Sequence, residues 1–300
     1  MAAAPDARAL RRLSAGFFAL CAATFGLIVL GALVRAHSAG LACPDWPLCF
    51  GRVVPAFDLR VAFEWTHRAV AGGVALGFAG LAFATLRRPA ARAVTRGWLA
   101  VAALLLAAQI GLGALTVWKL LAAWTVTSHL VIGNTFDASL LWIGLRLRRA
   151  GDAAPAPAAP AAARAWLAVT IACLALQLVL GGLVSSRYAG LACPEWPTCN
   201  GGVWFPSFGG AVGLHLLHRS NGYLLALLLG VSAWVARGHR PLRRALGLAA
   251  ALGAAQIVAG ILNVRLGLPV EITGLHSALA AALVLSLAAA AFAAESRRPT

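Results

Sequence analysis

Residues 64–68 read Glu64-Trp65-Thr66-His67-Arg68 and stand near the start of an apolar run that continues to Leu86. That run is long enough to cross a bilayer, for which about 20 apolar residues suffice. An acid, a histidine and an arginine are costly inside such a segment and mark a site there. The histidine also recurs. His129 lies in Thr127-Ser128-His129-Leu130, His218 in His215-Leu216-Leu217-His218-Arg219, and His276 in Gly274-Leu275-His276-Ser277. Each sits a few residues into its own apolar segment.

The whole chain has this character. Of its 300 residues, 61% are hydrophobic and 11% charged, against about 25% charged in soluble domains. Eight spans follow, at 14–36, 61–86, 94–117, 122–147, 164–186, 211–236, 242–265 and 271–294. The fold class is therefore an all-α integral membrane protein. The formal net charge of +16 does not indicate nucleic acid, because the arginines cluster at the ends of apolar runs, as membrane orientation requires. Seventeen of the 25 basic residues fall in one set of loops and termini: Arg8, Arg11, Arg12, Arg87, Arg88, Arg92, Arg96, Arg146, Arg148, Arg149, Arg164, Arg237, Arg240, Arg243, Arg244, Arg297 and Arg298. This asymmetry places both termini in the cytoplasm. No cleavable signal peptide is evident.

The chain repeats itself. Ala39-Gly40-Leu41-Ala42-Cys43-Pro44-Asp45-Trp46-Pro47-Leu48-Cys49 returns as Ala189-Gly190-Leu191-Ala192-Cys193-Pro194-Glu195-Trp196-Pro197-Thr198-Cys199. His67-Arg68 returns as His218-Arg219, Gln109-Ile110 as Gln256-Ile257, and His129 as His276. Four spans per half make both halves run the same way through the bilayer, as parallel four-helix repeats about an axis along the membrane normal. The division is 14–147, then a cytoplasmic linker over 148–163 rich in alanine and proline, then 164–294.

With this topology the four histidines lie roughly 7–11 Å below the outer end of their helices. His67 can face His129 in one bundle, and His218 can face His276 in the other. Two facing histidines in an apolar bundle are one way to ligate haem iron axially. Small residues such as Ala69, Ala71, Gly72 and Gly73 leave room for a flat macrocycle. The competing reading is that such histidines only make interhelical hydrogen bonds; recurrence at one depth in two repeats argues against it. Zinc would call for cysteine or carboxylate ligands at the same level. Arg68 and Arg219 are propionate-binding candidates, or else they snorkel to the interface. Glu64 shares a helix face with His67, while the repeat has His215 there. That difference assigns proton chemistry to the first half; the alternative is a structural pairing of Glu64 with Arg68. His37 and His239 read as surface residues, and Cys21 and Cys173 as small buried apolar ones. Both outer loops carry Cys-x5-Cys, read as a disulfide in each, Cys43–Cys49 and Cys193–Cys199, with a redox-active dithiol as the alternative.

In these features the chain resembles the heme A synthase family, bacterial type: eight spans in two repeats, one histidine in each even-numbered span, Glu64-x-x-His67-Arg68, and outer Cys-Pro-Asp/Glu-Trp-Pro loops. The resemblance covers about residues 14–294. It implies an oxidoreductase of the bacterial inner membrane that turns the C8 methyl of heme O into a formyl group, making heme A for heme-copper terminal oxidases. It further implies His67 and His129 as ligands of the substrate haem, Glu64 as the catalytic acid/base, and His218 and His276 as ligands of a heme b cofactor. Heme O synthase and the oxidase assembly machinery are the implied partners. A homo-oligomer is left open. The rival reading is a di-haem b-type electron-transfer protein. A transporter fits less well, because the prolines lie almost entirely in loops.

Overall fold

A computed structural model describes residues 5–151 and 158–295. They form eight α-helices: α1 (Pro5–Ala36), α2 (Leu59–Leu86), α3 (Pro89–Trp118), α4 (Ala123–Ala150), α5 (Ala161–Ser186), α6 (Gly210–Val235), α7 (Arg240–Arg265) and α8 (Val270–Ala294). A single 3₁₀ turn, Ala236–Gly238, precedes α7. No strand occurs among the described residues; lone bridges at Cys49–Arg52 and Asn200–Val203 tighten the two outer loops.

Several helices outrun the apolar windows that announce them. α1 begins at Pro5 rather than 14, and α3 at Pro89 rather than 94. The extra turns hold Arg8, Arg11, Arg12 and Arg92, and arginine is a good helix former whose charge does not end a helix. Pro89 suits the first turn, where its missing N–H costs nothing. The expected linker 148–163 shrinks for the same reason. Arg148, Arg149 and Ala150 continue α4, and Ala161 to Ala163 begin α5. Residues 152–157 of that linker lie outside the described residues, as do Arg297 and Arg298.

Seven of the eight helices are long and apolar enough to cross a membrane by length and composition. The exception is α6, whose outer half carries His215, His218, Arg219, Ser220 and Asn221. The expectation of eight self-evident spans is corrected to seven. The polar groups that lower α6 are those of the site itself.

α1, α4, α5 and α8 pack on one another, while α2 and α3 flank the first half and α6 and α7 the second. Two buried apolar clusters result. One gathers Phe17, Phe78, Leu99, Phe136, Leu140, Ile143 and Leu147. The other gathers Leu167, Leu228, Leu229, Leu242, Leu246, Leu283 and Leu287. Both clusters lie toward the end that bears the termini. The opposite end of each half holds histidines and glycines instead.

Candidate functional site

The site begins where the first outer loop meets α2. Asp58 caps the helix, accepting from the backbone N–H of Arg60 and Val61 at 3.0 and 3.2 Å. Less than two turns on, Glu64 is 5% exposed. Its Oε2 accepts from the Cys43 N–H at 2.8 Å, and its Oε1 pairs with Arg68 at 2.5 Å. Arg68 also donates to the carbonyls of Cys43, Asp45 and Leu48 at 3.2, 2.6 and 2.6 Å. The two side chains thus fasten the loop to the helix, and a Cys43–Cys49 disulfide closes that loop. Asp45 shapes the loop tip by accepting from Phe50 and Gly51 at 2.7 Å each. The Gly51 N–H above all, and then the Phe50 N–H, hold its carboxyl below the usual carboxylate range.

The second half repeats the latch without the acid. Cys193–Cys199 closes the loop, and Arg219 donates to the carbonyls of Cys193, Glu195 and Thr198 at 3.2, 3.0 and 2.9 Å. His215 takes the place of Glu64 and bonds through Nδ1 to the Ala189 carbonyl at 2.9 Å. Glu195 accepts from Gly201, Gly202 and Thr198; the Gly202 N–H is foremost in lowering its pKa. Neither arginine snorkels. Their guanidinium groups are engaged by loop carbonyls, which sequence reasoning missed because backbone acceptors leave no mark in a sequence.

The four histidines share one setting. Each imidazole lies against a glycine on the preceding helix. A Cβ would come within 3.0 Å of the His67 ring at Gly31, 3.4 Å of His129 at Gly113, 3.1 Å of His218 at Gly181 and 3.3 Å of His276 at Gly260. Any larger residue there would push the ring aside. His67 and His129 are near enough for their charges to interact, and so are His218 and His276. The Nδ1 atoms of His67, His129 and His276 are buried with no hydrogen-bond partner, which is uncommon for buried polar atoms. His129 Nε2 meets the Gln109 amide at 3.2 Å, and His218 Nδ1 meets the Gln177 amide at 3.2 Å.

Histidines with unpartnered ring nitrogens, glycines that clear the space beside them, and no apolar cluster at their level fit a flat iron macrocycle. They do not fit a bare metal ion: no group of three or more His, Cys, Asp or Glu is gathered for one among the described residues. The remaining readings have plain outcomes. Cys21 and Cys173 are buried free thiols. His37 stacks on Phe63 at 4.4 Å, and His239 caps α7 by accepting from the Leu242 N–H. Gln177 and Asn221 were not foreseen, since their counterparts in the first half are apolar.

Comparison with known proteins adds a second line. The family model described as cytochrome oxidase assembly protein matches residues 16–62 and 56–288. A heme A synthase of Shewanella oneidensis is 31% identical to this chain, over 88% of the chain and 91% of that protein. One from Halalkalibacterium halodurans is 30% identical over 72% and 74%, and one from a Methylobacterium strain is 28% identical over 91% and 89%.

Proposed function

The chain belongs to the cytochrome oxidase assembly protein family, and on that premise we propose that it oxidises the C8 methyl of heme O to a formyl group, producing heme A for heme-copper terminal oxidases. Heme O synthase is the enzyme class that must supply the substrate. The observation that carries the reading is the asymmetry between otherwise matching halves: a buried Glu64 beside His67, against His215 beside His218.

All eight helices cross the membrane, with both termini in the cytoplasm, as two parallel four-helix repeats over 14–147 and 164–294. Support comes from the seam between the halves. Arg35 donates to Ser185, its own counterpart at the repeat offset of 150, as expected for residues flanking a two-fold axis. α1 against α8 and α4 against α5 are likewise equivalent interfaces. Lys119, the only lysine, lies in the turn after α3. A membrane-impermeant amine reagent should label it in cells; labelling only after lysis would overturn the orientation.

His67 and His129 hold the substrate haem, and His218 and His276 hold a heme b cofactor. The bound haems supply redox chemistry, and everything else falls to the chain. Turning a methyl into a formyl group strips hydrogens from carbon, so a base must take protons. Glu64 suits that role. Arg68 keeps it ionised, and the Cys43 N–H fixes its second oxygen. The disulfide loop above keeps bulk water out. Arg219 retains more unused N–H groups than Arg68, of the five a guanidinium carries, so it is the better of the two candidates for a propionate.

The test is mass analysis of haems extracted from membranes that express the chain with heme O synthase. Heme A or its hydroxylated precursor is expected from the wild type, and a fall of at least about 100-fold with Glu64→Gln, the scale of a lost general base. Undiminished product in the variant would refute the proton role. Heme b and unmodified heme O alone in the wild type would refute the reaction.

A further inference from the structure

The two halves differ in how they hold their first histidine. His218 is tied into a chain of side chains. Gln177 on α5 donates from its amide to the His218 carbonyl at 3.1 Å and lies 3.2 Å from its Nδ1. Asn221, one turn after His218, donates to Gln177 Oε1 at 2.7 Å and to the Cys173 carbonyl at 3.2 Å. Asn221 Oδ1 in turn accepts from the Cys173 thiol at 3.5 Å. Gly222 makes the space, since a Cβ there would come within 3.2 Å of the Gln177 amide nitrogen. Both amides can turn over together, so the contact serves His218 with its proton on either ring nitrogen.

None of this exists in the first half. At the repeat offsets of 150 and 151, Gln177 becomes Leu27, Asn221 becomes Val70 and Gly222 becomes Ala71. His67 Nδ1 is correspondingly buried without a partner. Three substitutions thus separate a tethered histidine from an untethered one on the same scaffold.

We propose that Gln177 and Asn221 are positioning residues that make the second half retain its haem, and that Leu27, Val70 and Ala71 leave His67 free so that the first half can take up and release haem. The inference rests on the haem-ligand reading above and extends it to exchange. A partner on the distal nitrogen fixes an imidazole's orientation and raises its strength as a ligand, and losing such a partner typically costs about 10–100-fold in metal affinity. A resident cofactor needs that hold. A haem that arrives as substrate and leaves as product needs its absence.

The experiment uses the full-length protein purified with the haem it carries. It measures transfer of that haem to excess apomyoglobin and the low-spin electron paramagnetic signature of the resident haem. Gln177→Leu and Asn221→Val should each speed transfer by about 10-fold or more and shift the signature. Gln177→Glu, which keeps a polar partner for Nδ1, should restore slow transfer. The triple variant Leu27→Gln, Val70→Asn, Ala71→Gly should co-purify with haem product that the wild type releases. Wild-type transfer rates and an unchanged signature in both Gln177→Leu and Asn221→Val would overturn the inference. A wild-type signature that survives His218→Ala would instead overturn the ligand assignment beneath it, so the two failures are distinguishable.

Discussion

At the scale of single residues, the outer loops are held by carboxylates and guanidinium groups acting on backbone. Asp45 accepts two N–H groups at the tip of the Cys43–Cys49 loop, and its folded pKa lies below the ordinary value. A depressed pKa means that its hold on the loop is complete above the ordinary carboxylate range and is lost as pH falls through the lowered folded value. Raising the pH above neutrality should change nothing. Reduction of Cys43–Cys49 by a phosphine should therefore stay slow from pH 8 down to about 5 and accelerate severalfold on further acidification, since an unperturbed Asp titrates near 3.9. Asp45→Asn should be fast throughout. A wild-type rate that is flat with acid would contradict the role. Much at this scale was legible beforehand. The four histidines and Glu64 announce themselves because polar groups stand out in an apolar run. Gln177 and Asn221 do not, because spacings of 41 and 44 residues between bonded partners follow from helix packing and not from any local pattern.

At the scale of helices, each histidine depends on the helix before it. Gly31, Gly113, Gly181 and Gly260 are the points where α1, α3, α5 and α7 meet the rings of the following helix. A bulky side chain at one of them should disable its own site alone. Gly31→Leu should lower heme A production at least about 10-fold, the scale of a disturbed ligand, while the haem held by the second half stays bound. The check is product mass analysis beside the haem content of the purified variant. Loss of all bound haem would mean that the helix, and not the local ring contact, had failed. Helix positions were readable from apolar runs, but their ends were not, because arginine continues a helix where a hydropathy window stops. α6 shows the limit from the other side. Its site residues dilute the apolar signal until composition alone no longer marks it as a span.

At the scale of the molecule, the halves meet through α1, α4, α5 and α8 and are tied at both ends. On the side away from the termini, Arg35 reaches Ser185 and lies 4.7 Å over the Tyr188 ring. On the side of the termini, Arg146 and Arg149 converge on Glu295 at 3.4 Å each, and Arg149 lies 3.6 Å over Phe292. These last pairs are partly exposed, so each is worth about 1 kcal/mol or less. They set how the halves align rather than how strongly they hold. One scaffold used twice, with chemistry in one copy and a retained cofactor in the other, is the central claim. The measurement that tests it most directly is the haem content and haem product of purified His67→Ala and His218→Ala, each expressed with heme O synthase. His67→Ala should keep its resident heme b and make no heme A; His218→Ala should lose the resident heme b. The reverse pattern, with the resident haem lost from His67→Ala and kept by His218→Ala, would contradict the account.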